Sequence, residues 1–171
     1  MTVKQLIALA GVATVAMASA ATAAAKPPDL STARAATAGY HNIDKAIADD
    51  YVEVRDVQQI ACIDDPAGGM GIHYVRLDRV MSGVIDAAAP QALVYEPEPN
   101  GRLRLVAVEY IQTVAASGGK TPSLFGQDFE LMDSPNRYGL PPFYELHAWL
   151  WKQNPDGMFK DWNPRVECPA G

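Results

Sequence analysis

The feature that most constrains the fold of this chain is a series of short segments in which apolar and polar residues alternate. Side chains point alternately to the two faces of a strand, so this alternation predicts β-strands. Pro- and Gly-rich stretches such as DDPAGG, EPEPNG and ASGGKTPS separate the segments and predict turns. The segments are VEVRDVQQIAC, GIHYVRL, QALVYEP, RLRLVAVEYIQTVA and FYELHAWLWK.

The segment EPEPNGRLRLVAVEYI predicts a β-hairpin, because Asn100-Gly101 supplies the positive-φ residues of a two-residue turn between strands at 92–96 and 103–115. Residues 29–51 precede the strands and are rich in alanine. Their apolar residues recur three and four positions apart, which predicts one amphipathic helix with a kink near Gly39. We therefore expect an α+β domain in which this helix packs on a curved antiparallel sheet, shaped as a cone or half-barrel.

The first 25 residues predict a secretory signal peptide. They combine one lysine, an apolar run and repeated small-residue triplets that permit cleavage after Ala20, Ala23 or Ala25. The run is shorter than the ~20 residues of a spanning helix, so we expect no integral membrane segment after cleavage. The predicted organisation is a signal peptide at 1–25 and a single secreted or periplasmic domain at 26–171.

The charge of the chain argues against nucleic acid as a partner. The full sequence has a net charge of -6, and removal of residues 1–25 leaves 13 basic and 20 acidic side chains. An acidic chain without basic clusters is poorly suited to nucleic acid or to an anionic membrane surface. The sequence contains no signal for a particular oligomeric state.

The two cysteines, Cys62 and Cys168, both lie in the predicted mature domain. An even number of cysteines in an exported chain indicates a disulfide, which here ties the C-terminal tail to the middle of the chain. A metal-thiolate pair is the competing interpretation, but neither a CxxC nor a nearby CxxH spacing supports it.

Strand parity divides the last alternating segment, residues 143–152, into two faces. One face carries Leu146, Ala148 and Leu150, and it is small and smooth enough to receive the alanine-rich helix. The opposite face carries a carboxylate and an imidazole among aromatic rings, namely Phe143, Glu145, His147, Trp149 and Trp151.

Two further strands bring ionisable side chains to apolar surfaces. Parity places Glu109 with Leu105 and Ala107, and it places His73 with Leu77. Burial of a charged group costs several kcal/mol unless the group is paired, so such groups are either partnered or functional.

We therefore expect the ionisable groups of the three strands to converge in one pocket. The two histidines and two glutamates, His73, His147, Glu109 and Glu145, are candidate ligands of a divalent metal or an acid-base pair. No HxH, HExxH or HxxxH spacing is present, so we favour a metal-free pocket. The predicted ligand-binding residues are His73, Glu109, Glu145, His147, Trp149 and Trp151.

The connection at 117–142 contains several prolines and no clear period. A connection of this length is a lid, a binding loop, a set of unrecognised elements or a packed Ω-like loop.

Five segments together resemble a group of uncharacterised exported bacterial proteins across nearly the whole predicted mature chain. They are ATAGYHNIDKAIADDY, GMGIHYV, PQALVYEPEPNGRLRLVAVEYI, LFGQDF and YELHAWLWKQNPDGMFKDWNPRVEC. The resemblance implies a bacterial exported protein with paired cysteines. It implies no activity, cofactor or catalytic residue.

No GxSxG, P-loop, Rossmann or haem-attachment signature is present. The favoured function is an exported protein that binds a small, partly apolar ligand in the Glu/His/Trp pocket. The alternatives are a metal-dependent or acid-base enzyme that uses the same residues, and a structural or interaction module of the cell envelope whose buried polar groups only pair with one another. A divalent metal is the one candidate cofactor.

Overall fold

The computed structural model describes residues 30–169, so the predicted signal peptide lies outside the described residues. Within this range no helix combines the length and the apolar character that a membrane crossing requires. The α-helices of this range are α1 Leu30–Thr37, α2 Ile43–Ala48, α3 Leu77–Ser82 and α4 Val114–Ser117. The strands are β1 Val52–Glu53, β2 Cys62–Asp65, β3 Gly68–Val75, β4 Ala92–Pro97, β5 Leu103–Thr113, β6 Ser123–Leu124, β7 Gln127–Asp128, β8 Glu130–Met132 and β9 Phe143–Ala148.

The centre of the fold is a seven-stranded antiparallel sheet with the order β1-β3-β4-β5-β9-β8, in which β2 also pairs with β3. Strands β6 and β7 form a separate hairpin. The path of the main sheet ends at β1 and β8, so the sheet does not close into a barrel. The predicted α+β class with an antiparallel sheet is confirmed.

The N-terminal region forms two short helices with a 3-10 turn at Ala38–His41 between them, rather than the predicted continuous helix. Asn42 has an extended backbone, and its side chain accepts a hydrogen bond from the backbone N–H of Asp44. This cap starts a new helix, since asparagine satisfies an N–H that the helix itself leaves unpaired. The chain therefore breaks just after the kink predicted near Gly39.

The helices pack on one face of the sheet, here called the helix face. Ala33 and Ala46 are fully buried against it. Leu146, Ala148 and Leu150 belong to the same apolar core, as strand parity predicts. Small residues on both partners allow the helices to approach the sheet closely.

The hairpin of β4 and β5 is present, but its turn is longer than predicted. Residues 98–102 connect the strands, and Glu98 and Arg102 form a backbone hydrogen bond across the turn. Gly101 has a φ of 80°, and Asn100 is not among the described residues with positive φ. The prediction of a two-residue turn is therefore wrong. Gly101 supplies the left-handed conformation without Asn100.

A β-bulge in β5 changes which side chains share a face. Val94 pairs with Ala107 while Tyr95 pairs with Leu105, so Val106 is the extra residue. Leu105 lies in the core of the helix face, whereas Val106 and Ala107 lie in the core of the opposite face. The prediction that Leu105 shares a face with Ala107 is wrong, because an extra residue reverses the alternation.

The predicted disulfide is confirmed. Cys62 in β2 is bonded to Cys168, 106 residues further along the chain. The bond holds the C-terminal segment against the β2-β3 edge of the sheet, where Gly69 and Asn163 also form a β-bridge.

Replacement of both cysteines, Cys62→Ser with Cys168→Ser, should lower the free energy of unfolding by roughly 2 to 5 kcal/mol, because the unfolded chain regains the freedom that a long loop closure removes. Urea unfolding of the variant and of the wild type measures the difference. A loss below about 0.5 kcal/mol, the size of an ordinary surface substitution, would contradict this account.

Candidate functional site

Four ionisable side chains from three strands meet on the face of the sheet opposite the helices, here called the site face. His73 comes from β3, Glu109 from β5, and Glu145 and His147 from β9. The antiparallel register pairs Glu109 directly with His147, while His73 pairs with Val94 of the intervening β4. Strand alternation then places all four side chains on the same side.

The intervening strand β4 leaves space for His73 of β3 and Glu109 of β5 to meet. At the level of Glu109 it carries only Ala92, which is fully buried. A methyl group there allows His73 and Glu109 to approach each other above β4, so that His73 Nε2 lies 3.6 Å from Glu109 Oε2. His73 Nε2 also lies 3.3 Å from His147 Nε2.

The four side chains are almost completely shielded from solvent. The exposed fraction is 4% for His73, 4% for Glu109, 3% for Glu145 and 1% for His147. The structure therefore brings these four predicted residues together, but it packs them into the interior and not along an open concave wall.

Acidic groups extend the site beyond the four predicted residues. Glu109 lies close enough to Glu145 to raise the pKa of its carboxyl group. His147 Nδ1 faces Asp161 Oδ1 at 3.5 Å, a distance longer than an ordinary hydrogen bond. Asp161 in turn lies close enough to Glu130 to raise the pKa of that carboxyl group. We call His73, Glu109, Glu145, His147 and Asp161 the polar cluster.

Part of the long connection at 117–142 lies beside the polar cluster. Arg137 forms an ion pair of 3.6 Å with Asp56, which is 2% exposed, and the backbone of Arg137 accepts a hydrogen bond from Val57. Arg137 is close enough to His73 to influence its protonation, and the hydroxyl of Tyr138 is similarly close to Glu109. The connection thus contains three short strands, β6 to β8, followed by a segment packed at the site.

The two tryptophans predicted to line the pocket lie in different places. Trp149 stacks on His147, with ring centroids 6.2 Å apart, and donates its indole N–H to the carbonyl of Lys160. Trp151 packs in the core of the helix face, against His41 and Arg34.

Placing Trp151 on the site face is therefore a wrong prediction. Strand β9 ends at Ala148, and the backbone N–H groups of Trp151 and Lys152 both donate to the carbonyl of the bulged Val106. Parity does not apply beyond the end of a strand. Leu77 likewise lies outside a strand, because it begins α3, and it is exposed. The prediction that it shares a buried face with His73 is therefore wrong.

The two histidines of the cluster differ in pKa. Burial lowers the pKa of His73 to about 4, and the nearby His147 and Arg137 act in the same direction against the attraction of Glu109. Burial also opposes protonation of His147, but Glu109 and Asp161 outweigh it and raise its pKa above the ordinary value. His73 is therefore neutral at pH 7 and has a lone pair available to a ligand.

The acidic groups also differ in the direction of their pKa shifts. Burial and the neighbouring Glu109 raise the pKa of Glu145 well above its ordinary value. Asp161 raises the pKa of Glu130. Burial opposes ionisation of Asp161, but its contact with His147 lowers its pKa overall. The cluster therefore holds carboxyl groups that share protons beside one that stays ionised.

Three buried side-chain atoms of the polar cluster have no hydrogen-bond partner. They are His73 Nδ1, Glu145 Oε1 and His147 Nδ1. A buried polar atom without a partner costs about 1 to 3 kcal/mol, so three in one cluster require a physical explanation. Asp56 Oδ2 and Arg137 Nε also lack a hydrogen bond, but their side chains form an ion pair with each other, and Trp151 Nε1 lies on the helix face.

A surface groove of about 320 Å³ reaches the acidic end of the cluster. Glu145 and Asp161 form part of its wall, together with Glu130 and Asp128. His73, Glu109 and His147 do not line it. The groove therefore connects solvent with one end of the cluster only.

Between residues 30 and 169, two groups of three side chains have the spacing needed to hold a metal ion. In each group, one donor atom from every residue lies within 4.8 Å of the others. The first is His73, Glu109 and His147, and the second is Glu145, His147 and Asp161. Imidazole nitrogens with a carboxylate are ligands for zinc and other first-row transition metals.

Sequence reasoning missed Asp161, Asp56, Arg137 and Tyr138. These residues lie in loops that the tertiary fold brings to this region: Asp161 faces His147, Arg137 pairs with Asp56 and influences the pKa of His73, and Glu109 influences the pKa of Tyr138. The single sequence signal was the length of the connection at 117–142, which pointed to a functional loop without naming its residues.

No protein-family model, curated protein or solved structure matches this chain. The chemistry of the site is therefore argued from its own geometry.

The pKa of His73 predicts a specific acid sensitivity for the metal-free protein. Between pH 6.5 and about 4 the unfolded chain binds a proton that native His73 does not, so the free energy of unfolding falls as the pH falls through this window. In EDTA, His73→Gln should lose less stability than the wild type between pH 7 and pH 5, by on the order of 2 kcal/mol. Urea unfolding at both pH values tests this, and equal losses would refute it.

Proposed function

We propose that this protein binds one divalent first-row transition-metal ion through His73, Glu109 and His147. The observation that carries the proposal is the convergence of three donor atoms from three different strands in a buried site. Export from the cell is part of the proposal. The disulfide supports it, because such bonds persist in oxidising compartments.

The separations of the donor atoms suit a tetrahedral ion. Zinc-ligand bonds of about 2.0 to 2.1 Å place neighbouring donors about 3.3 to 3.5 Å apart. The distances from His73 Nε2 are 3.3 Å to His147 Nε2 and 3.6 Å to Glu109 Oε2. The third separation, between Glu109 and His147, is within 4.8 Å.

The surroundings of His73 favour coordination over proton binding. His73 is neutral and so presents a lone pair, and Asp161 lies beside the far nitrogen of His147. A carboxylate in that place orients a metal-binding imidazole and directs its other nitrogen to the ion. The carboxylate of Glu109 offsets part of the charge of the ion.

The same geometry argues against an organic molecule as the ligand of this triad. The three side chains are buried in mutual contact, and the groove that reaches the cluster does not include them. A molecule with a carbon skeleton needs a cavity, whereas an ion fits between the donors. We therefore propose an ion in place of the small, partly apolar ligand and the metal-free pocket that the sequence analysis favoured.

A metal-dependent enzyme is the second candidate function. Three protein ligands leave a fourth tetrahedral position, which is the arrangement found in catalytic zinc sites. The groove at Glu145 supports this candidate, because it brings solvent to the neighbourhood of the triad.

The central test is a zinc titration of EDTA-treated, dialysed protein by calorimetry, with elemental analysis of the complex. The wild type should bind zinc tightly, and His73→Gln should bind it at least 100-fold more weakly, since even the loss of an outer contact costs 10- to 100-fold. The matched control is His41→Gln, because His41 is exposed and lies near Trp151 on the helix face.

A purely structural network predicts a different result. The contact of 3.3 Å between the two histidines is also compatible with an N–H···N hydrogen bond. In that case the wild type binds no more zinc than His73→Gln, and the only effect of the substitution is lower stability. That outcome would reject the proposed function.

A further inference from the structure

We propose that a second divalent ion binds between Glu145, His147 and Asp161, and that the ring of His147 bridges the two ions. This inference rests on the proposed function, because it adds a second ion to the one held by His73, Glu109 and His147. The site would then be a two-metal centre whose outer ion faces the groove.

Two unpaired atoms indicate the second position. Glu145 Oε1 and His147 Nδ1 are buried, and neither has a hydrogen-bond partner. Asp161 Oδ1 lies 3.5 Å from His147 Nδ1, and one donor atom from each of the three residues lies within 4.8 Å of the others. A metal ion there would satisfy both unpaired atoms at once.

The two nitrogens of His147 serve opposite sides of its ring. Nε2 faces His73, and Nδ1 faces Asp161. When the second ion binds, the bond between Nδ1 and its hydrogen breaks, a bond between Nδ1 and the ion forms, and the proton leaves to solvent. The ring is then an imidazolate with one nitrogen on each ion, and no oxidation or reduction occurs.

The acidic groups of the cluster supply negative charge at both positions. Glu109 belongs to the inner group of three residues, and Glu145 and Asp161 belong to the outer group. Each divalent ion therefore has at least one carboxylate among its ligands.

The groove provides a path to the outer position. Glu145 and Asp161 line it, and so do Glu130 and Asp128. The inner triad has no such path. The structure therefore suggests that the outer ion exchanges faster with solvent than the inner one.

The rival explanation is that Asp161 only positions His147. A positioning residue changes the affinity of the inner ion without changing the number of ions bound. Ion stoichiometry therefore separates the two roles of Asp161.

The experiment titrates EDTA-treated protein with Cu(II) and combines elemental analysis with electron paramagnetic resonance. It uses the His41→Gln background, because the chain has three histidines and this change leaves only the two of the cluster. We expect two ions per chain. We also expect the integrated resonance signal to fall below the copper content, because two Cu(II) ions joined by one imidazolate couple magnetically.

Two isosteric variants remove the outer position. Asp161→Asn and Glu145→Gln should each bind a single Cu(II), with the full resonance signal of an isolated ion. Asp128→Asn is the matched control, since Asp128 lines the same groove but is outside the polar cluster, and it should retain two coupled ions. Circular dichroism confirms that each variant is folded before it is loaded.

The outcomes distinguish the two proposals. One ion in the His41→Gln protein that is lost when His73→Gln is added keeps the proposed function and overturns the second site. Two ions that persist in Asp161→Asn and Glu145→Gln, or two ions with an undiminished signal, also overturn it. No tightly bound ion in any protein rejects both.

Discussion

The burial of ionisable groups on the site face is the constraint on which the rest of the structure depends. His73, Glu109, Glu145 and His147 lie in an interior where an unpaired charge costs several kcal/mol. The strand residues partly pair with one another, as His73 does with Glu109, and Asp161 adds a partner for His147 from a loop. Pairing is incomplete, because Glu145 Oε1 and His147 Nδ1 have no hydrogen-bond partner. An apolar core with the same outline would not carry this cost, which is why we propose a ligand for the cluster.

Two irregularities in the sheet define the boundaries of the site. The bulge at Val106 places Leu105 among the residues under the helices while Ala107 and Glu109 face the cluster. Beyond the end of β9, the carbonyl of Val106 accepts hydrogen bonds from Trp151 and Lys152, which holds the chain in its new direction. Trp149 can then stay beside His147 while the following residues return to the helix face. Bulges commonly redirect side chains next to functional sites in this way.

We propose an ion in place of a molecule because the centre of the cluster is filled with side chains. The two donor separations from His73 Nε2, 3.3 and 3.6 Å, are close to those between neighbouring ligands of a tetrahedral ion. The groove contacts the cluster only at Glu145 and Asp161. His73 has a lowered pKa and His147 a raised one, so the two imidazoles differ in chemistry. On the proposed function, the outer position is therefore the one open to exchange with solvent.

The sequence by itself determined the α+β class, the disulfide and the face on which His73, Glu109, Glu145 and His147 lie, because strand alternation is a local property with a period of two. Only the tertiary structure decided that Leu105 and Trp151 lie on the helix face and that Asp161 lies at the site. A bulge, the end of a strand and a contact between loops depend on pairing between distant segments, and no local period records them. The length of the connection at 117–142 marked it as unusual, but its contacts could not be predicted from the sequence because it has no repeating pattern.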